Sequence, residues 1–190
     1  MDLSFEKGRI ILKELLDLNY QAFFVGGFVR DHLLNIEAND IDITTNALPE
    51  EVQKIFPKTK ATGIRYGTIS VFKGKDSFEV TTFRSDKNYV NHRKPESVVF
   101  SKDILEDLKR RDFTINAFAM DYNGEILDLF DGKTDLENKL IRAIGVADLR
   151  FNEDALRMLR AFRFVAKLDF DIEEKTFISI QKNIELLKEI

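Results

Sequence analysis

The stretch VGGFVRDHLLNIEANDIDITTNA, residues 25–47, decides how the rest of the chain is read. QAFFVGG, which leads into it, reads as a buried strand ending in glycines. FVRDHLLN reads as a short helix. DIDITT alternates polar and apolar residues, the pattern of a strand with one wet face. Strand, glycine turn, helix and strand follow without a gap. The same stretch brings together a flexible backbone, a fixed positive charge and a pair of negative charges. That combination suits phosphate and metal.

Working outward, EKGRIILKELLDLN places apolar residues at helical spacing, which predicts an opening helix over 6–19. LPEEVQKIF predicts a helix with Pro49 in its first turn. GTISVFKGKDSFEVTTF predicts two strands joined by a turn around Lys73 to Asp76. Residues 84–97, RSDKNYVNHRKPES, show no periodicity and carry charge and Pro95, which predicts a long loop. DILEDLKRR reads as a helix, and NAFAMDYNGEILDLFDG as a hairpin turning at Asn123-Gly124. From about Leu136 the pattern is helical to the end. The expected division is therefore an α/β head over 1–140 and a helical segment over 141–190. The last helix, at IELLKEI, has an apolar face and no cap signal, so the expectation is a fragment of a longer protein.

Composition bounds the function. The chain has 190 residues, 44% of them hydrophobic, with 17 phenylalanines and no tryptophan. It has no cysteine, which excludes disulfides and thiolate metal sites and fits a reducing cytoplasm. No apolar run approaches the ~18 residues of a membrane span. The net charge of −4 gives no bulk sign of nucleic-acid binding, although LKRRDF and RMLRAFRFVAK are basic clusters in an acidic chain.

Five groups of residues carry chemistry. Gly26 and Gly27 allow a ligand close to the backbone. Arg30 can hold a phosphate by two bonds or pair with Asp31. Asp40 and Asp42, two apart on a strand, share a face while Ile41 and Ile43 turn to the core. They read either as solvated acids or as ligands to Mg²⁺, which takes one or two carboxylates plus phosphate and water. Glu79 is the candidate third carboxylate, with Phe78 and Val80 facing inward. Arg110 and Arg111 suit a helix C-terminus; alternatively Arg111 meets a triphosphate, with Asp112 orienting it or binding sugar. In FNEDALRMLRAFRFVAK, a helix of ~100° per residue gathers Arg157, Arg160, Arg163 and Lys167 on one arc, near Glu153 and Asp154. Ala155, Met158, Leu159, Phe162, Val165 and Ala166 fall opposite. That is either an amphipathic helix or an arginine ridge presenting hydrogen-bonding edges to a base.

In order, the motifs GGFVRD, NDIDITTNALPE, FEVTTFR, EDLKRRDFTINAFAM, DLFDGKTDLENKLIRAIG and RFNEDALRMLRAFRFVAKLDF resemble the class II tRNA nucleotidyltransferases, the CCA-adding enzymes, and their close relatives the bacterial poly(A) polymerases. The resemblance runs from about residue 20 to 170. It implies an α+β fold: a polymerase β-type head with a mixed β-sheet flanked by helices, then an all-helical neck, with body and tail domains beyond Ile190. It implies Mg²⁺ on Asp40 and Asp42, Glu79 as third carboxylate, and a nucleotide held by Gly26, Gly27, Arg30, Arg111 and Asp112. It also implies that Asp154 and Arg157, with Glu153 in support, choose C and A, and that Arg160 and Arg163 continue the ridge. The implied reaction adds CMP and AMP from CTP and ATP to the 3′ end of tRNA in the cytoplasm. Poly(A) synthesis, CC-only or A-only addition, and a non-enzymatic nucleotide- or RNA-binding module remain open.

Overall fold

A computed structural model describes residues 3–38 and 40–190. Leu3–Asp17 form α1. Its Ile11, Leu12 and Leu15 lie on one face and are fully buried. Gly8 lets the helix settle onto the sheet, because a Cβ there would stand 2.8 Å from Phe24 Cε1. Then follow β1 (Ala22–Val25), α2 (Gly27–Leu33), β2 (Asp42–Thr45), α3 (Pro49–Ile55), β3 (Thr59–Gly63), β4 (Thr68–Lys73) and β5 (Asp76–Thr82). In α3, Pro49 opens the helix, and the Glu51 carboxylate accepts from the Leu48 N–H at 2.7 Å.

Next come β6 (Arg84–Val90), β7 (Lys94–Phe100), α4 (Ile104–Lys109), β8 (Phe118–Met120), β9 (Ile126–Asp128) and α5 (Gly132–Glu137). The chain continues through β10 (Leu140–Ile141), α6 (Ala147–Glu153), α7 (Leu156–Leu168), β11 (Asp171–Ile172) and α8 (Glu174–Asn183), and closes with a 3₁₀ turn over Ile184–Glu189.

Seven strands make one mixed sheet in the order β3-β4-β5-β2-β1-β8-β9. Only β2 and β5 run parallel, joined by the crossover through α3, β3 and β4. The helices α1, α2 and α3 cover the sheet's apolar residues; Phe24, Ile43, Ile69, Phe78 and Val80 sit in that core. A second core gathers Phe113 and Ile115 with Phe151, Met158, Ala161 and Phe164 of the helical part. It straddles position 140, so the two regions share packing. No helix among the described residues is long and apolar enough to cross a membrane.

The opening helix and the two hairpins at Lys73–Asp76 and Asn123-Gly124 are as expected. In the second hairpin Asp121 Oδ1 accepts from the N–H groups of Asn123 and Glu125, both at 2.8 Å, and holds the turn. Two expectations change. Residues 84–97 are not a loop but most of a β6–β7 hairpin, with Arg84 paired to Phe100 and Val90 to Lys94. Its two faces are largely exposed, so no apolar alternation marks it. Asn91 and His92 make its turn at φ 50° and 47°, where asparagine is tolerated. The helical part also contains one short parallel pairing, β10 with β11.

Candidate active site

The site lies where β2 meets β5 and the glycine turn after β1. Asp42 pairs with Val25 on one side and with Glu79 on the other. The two carboxylates therefore lie on adjacent strands, as the sequence pattern required but could not show. Asp40 is exposed and lies in the coil before β2, which starts only at Asp42; a shared strand for the two aspartates is not what forms. Burial raises the Asp42 carboxyl above its ordinary range; Arg111 opposes that, while Glu79 and Asp40 add to it. This is an acidic focus short of positive charge. Among the described residues no three His, Cys, Asp or Glu side chains already form a metal cage.

Gly26 adopts φ 72° and ψ −139°, a backbone conformation that essentially only glycine tolerates. A Cβ there would stand 3.0 Å from Arg111 Nη1 and 3.8 Å from Asp42 Oδ2. The turn thus clears the space in which Arg111 reaches the acids. Arg111 is held from behind by Asp107, its Nη2 donating to Oδ2 at 3.3 Å.

Asp107 is the residue sequence reasoning missed. It is fully buried and accepts from Arg110 Nε and Nη2 at 3.0 and 2.8 Å. Burial pushes its carboxyl up, but Arg110 and Arg111 outweigh burial and hold it below the ordinary value. Burial likewise works against the Arg110 charge, and Asp107 with Asp86 more than restores it. Only a Glu-Asp pair beside LKRR hinted at this anchor, and those residues read equally well as a solvated helix.

Several residues expected on the nucleotide are engaged elsewhere. Arg30 is buried; its Nε and Nη2 donate to Asp31 Oδ1 at 2.8 and 2.6 Å, its Nη1 to Asn116 Oδ1 at 2.5 Å, and it lies over the Phe164 ring. Asp112 is buried as well. Its Oδ1 accepts from the Phe113 N–H and Asn116 Nδ2, and its Oδ2 takes a bidentate pair from Arg160 at 2.7 and 2.6 Å. Both residues bind the head to the helical part rather than open onto a cleft.

Arg157 follows the same logic. It is buried, donating from Nη1 to Glu153 Oε2 at 2.7 Å and to the Arg150 carbonyl, and from Nη2 to the Arg110 carbonyl at 2.9 Å and to the Tyr89 hydroxyl. Glu153 also accepts from Arg150 Nη2 at 2.5 Å. Asp154 ends α6, and its Oδ1 accepts from the Leu156 N–H at 3.1 Å. Arg163 is exposed, and Lys167 pairs with Asp31 at 3.2 Å. The buried face of α7 is Arg157, Met158, Ala161 and Phe164. Leu159, Phe162 and Ala166, expected inside, are exposed: the helix is rotated so that the arginine stem, not these side chains, packs inward.

The β6–β7 hairpin braces this junction. The His92 carbonyl accepts from the Ala155 N–H at 2.8 Å, His92 Nδ1 lies 2.5 Å from the Asn152 carbonyl, and Arg93 approaches Asp154 at 3.8 Å. Tyr89 donates to Asp86 Oδ2 at 2.9 Å, and burial, then Asp86, raises its phenol above the ordinary range.

The profile of the poly A polymerase head domain family matches residues 22–142. The CCA-adding enzyme of Lactobacillus helveticus is 53% identical over 186 residues, covering 98% of this chain and 47% of that protein. The crystal structure of the Bacillus stearothermophilus CCA-adding enzyme in complex with CTP superposes with a TM-score of 0.92 at 45% identity, covering 100% of this chain and 46% of that one. The Thermotoga maritima CCA-adding enzyme complexed with tRNA superposes at 0.80 with 32% identity, covering 100% of this chain and 45% of that one. The chain spans about half the length of the curated relatives it matches. With more than half of its residues inside the family profile, and with the same mixed sheet flanked by helices, the chain belongs to the poly A polymerase head domain family.

Proposed function

We propose that this chain is the catalytic part of a cytoplasmic nucleotidyltransferase that adds CMP and AMP, from CTP and ATP, to the 3′ end of tRNA. The observation that carries this is the Arg110-Arg111-Asp112 strip. Arg111 turns toward Asp42 and the glycine turn, the Arg110 carbonyl holds Arg157, and the Asp112 carboxylate holds Arg160. One tripeptide thus ties a phosphate-facing centre to a base-facing helix. The names of the solved relatives, which hold CTP or tRNA, support the same reading. We divide the chain near residue 140 into a head and the start of a neck; the greater length of the relatives supports body and tail domains in the whole protein.

Enzymes of this family generally use a divalent metal. The donor set here fits a hard cation: carboxylate oxygens only, around a half-buried aspartate that desolvation, with Glu79 and Asp40 adding, makes hard to ionise. We assign Asp40 and Asp42 as the residues that would hold Mg²⁺. When bound, it neutralises charge developing on the phosphate. The chain's own groups do the rest. Arg111 clamps the triphosphate, and Gly26 and Gly27 admit it close to the backbone. The RNA 3′-hydroxyl, oriented by Glu79, which takes up its proton, attacks the α-phosphate; a P–O bond forms, the bond to the oxygen bridging to the β-phosphate breaks, and pyrophosphate leaves with that oxygen. Catalysis is positioning and charge stabilisation.

Asp154 presents its edge to the base, and Arg157, held by Glu153 and the Arg150 and Arg110 carbonyls, acts as a positioning residue for that choice. Arg30 and Asp112 act as positioning residues, and Arg163 extends the exposed ridge. Arg157→Ala therefore loosens the neck as well as blurring the choice of base. Discrimination from one good bidentate contact is about 1–3 kcal/mol.

The test uses the longest natural form of the protein with Mg²⁺, CTP, ATP and tRNA lacking its CCA end, followed by sequencing of the 3′ ends. CCA ends that disappear in Asp42→Asn are expected. Ends reading CC, a single A or a long A tail would keep the chemistry and reassign specificity. No addition by a folded, CTP-binding protein would refute the transfer reaction.

A further inference from the structure

Polar groups of the head form a circuit around Phe164, on the buried face of α7. The guanidinium carbon of Arg30 lies 5.1 Å from the Phe164 ring centroid, and that of Arg160 lies 5.6 Å from it. Between these two cations stands Asn116, at the end of a 3₁₀ turn over Thr114–Asn116. Its Oδ1 accepts from Arg30 Nη1 at 2.5 Å, and its Nδ2 donates to Asp112 Oδ1 at 3.1 Å. Asp112 Oδ2 in turn takes Arg160. The other end of the circuit returns to the same helix, since Arg30 pairs with Asp31, and Asp31 with Lys167 at 3.2 Å. Arg160 and Lys167 stand about two turns apart on one face of α7.

Chemistry makes Asn116 the joint of this circuit. Asp31 and Asp112 accept; Arg30, Arg160 and Lys167 donate. The amide alone does both, so it joins a cation that needs an acceptor to an acid that needs a donor without adding charge. At 5% exposure it does so away from solvent, where a lost bond is not made good by water. A leucine of similar size would strand Arg30 Nη1. An aspartate would keep the bond to Arg30 but set a second carboxylate against Asp112.

The two arms of the amide reach the two halves of the site. Arg30 belongs to α2, which starts at Gly27, directly after Gly26 of the glycine turn. The Gly26 N–H also donates to the carbonyl of Phe118, on the strand that follows Asn116. On the other arm, Asp112 and Arg160 fix the rotation of α7. Asp154 stands just ahead of that helix, and its carboxylate accepts from the Leu156 N–H, the first residue of α7. A turn of α7 therefore carries the Asp154 edge with it.

We propose that Asn116 is a positioning residue that couples occupancy of the glycine turn by a triphosphate to the seating of α7. Through α7 it acts on the choice of base. The coupling deepens the transfer reading above and rests on it, but it is measured without transfer.

The experiment uses the full natural chain without RNA. Hydrogen exchange over residues 156–168 is followed with and without magnesium tripolyphosphate, which supplies phosphates and no base. Calorimetric titration gives the affinities for tripolyphosphate, CTP and UTP. Bound tripolyphosphate should slow exchange in wild-type α7 on the order of 5-fold or more. In Asn116→Leu that protection should vanish while tripolyphosphate still binds, and the ratio of CTP to UTP affinity should fall by at least ~5-fold. Asn116→Asp, which keeps the shape and the Arg30 bond, should behave alike, and it decides the outcome where Asn116→Leu does not fold. A wild type that binds tripolyphosphate without protection, or equal protection in Asn116→Asp, would overturn the coupling and leave the transfer reading standing. Loss of tripolyphosphate binding by the folded variants would make Asn116 part of the phosphate site itself, and would also overturn it. Asn116-dependent protection in a protein that adds nothing to tRNA would keep the coupling and sink the transfer reading. A wild type that does not bind tripolyphosphate would remove the phosphate site on which both rest.

Discussion

Asp107→Asn probes the anchor behind Arg111. The native carboxylate is fully buried and takes two short bonds from Arg110 at 2.8 and 3.0 Å. Contacts from Arg111 at 3.3 Å and Thr44 Oγ1 at 3.4 Å are longer and contribute less. Removing one partner of a buried pair costs on the order of 3–5 kcal/mol, because the other charge is left uncompensated. Arg110 keeps a second acid, Asp86 at 3.8 Å, which moves the expectation to the lower end, about 3 kcal/mol. With a urea slope of about 2–3 kcal/mol per molar, the unfolding midpoint should fall by roughly 1–1.5 M. The pH dependence has a definite sign. Asp107's folded pKa is depressed, burial resisting and the two arginines prevailing. Its stabilisation is then fully present above the unfolded carboxyl's value of about 4 and is lost as pH falls through the lower folded value. The gap between wild type and variant, followed by circular dichroism in urea, should hold from neutral pH down to about 5 and close in acid. A midpoint shift worth under about 1 kcal/mol, or a gap that widens as pH falls, would refute the reasoning.

Three further substitutions separate catalysis from scaffold. Asp42→Asn should cut incorporation by at least ~100-fold; because burial, with Glu79 and Asp40 adding, raises the Asp42 carboxyl, ionised Asp42 works against the metal-free fold at neutral pH. The variant in EDTA should therefore melt higher at pH 7 by calorimetry, and an equal or lower melting temperature counts against the acidic focus. Gly26→Ala should cost about 1–3 kcal/mol for the backbone conformation alone and, by pushing on Arg111 Nη1, raise KM for CTP; unchanged KM would show that the turn does not shape the site. Arg160→Ala removes a half-exposed pair with Asp112, so chemical denaturation should register under about 1 kcal/mol, while incorporation falls through a loosened neck; a fully active variant would remove Arg160 from the coupling.

The parts of this molecule that were legible before any coordinates are those where burial enforces a pattern. Alternation in DITT and FEVTT placed Ile43, Phe78 and Val80 inward and left Asp42 and Glu79 outward, and the sheet register joins them. The β6–β7 hairpin was illegible because both of its faces are largely exposed, so nothing selects a period of two. The rotation of α7 was illegible for a different reason. Arg157 is a charged residue that packs inward because carbonyls and Glu153 satisfy its guanidinium, and a hydrophobicity pattern counts it as surface. Asp107 escaped notice in the same way: a buried charge is recognisable only through partners brought close by folding.

Two ion pairs, Asp107–Arg110 and Asp112–Arg160, explain a division of labour in the Arg110-Arg111-Asp112 strip. Arg110 and Asp112 are satisfied within the protein, one by Asp107 and the other by Arg160 and Asn116, and each also bonds to α7. Arg111 alone is aimed at Asp42 and the glycine turn. A side chain that must meet a triphosphate cannot spend all its donors on the scaffold, so its neighbours supply the rigidity that it gives up. Asp42 carries the complementary cost, a half-buried acid kept beside other acids so that a cation has something to neutralise. Stability is thus concentrated one residue to either side of the reacting groups. A substitution in Arg110 or Asp112 should act on the geometry of the site, and a substitution in Arg111 or Asp42 on its charge.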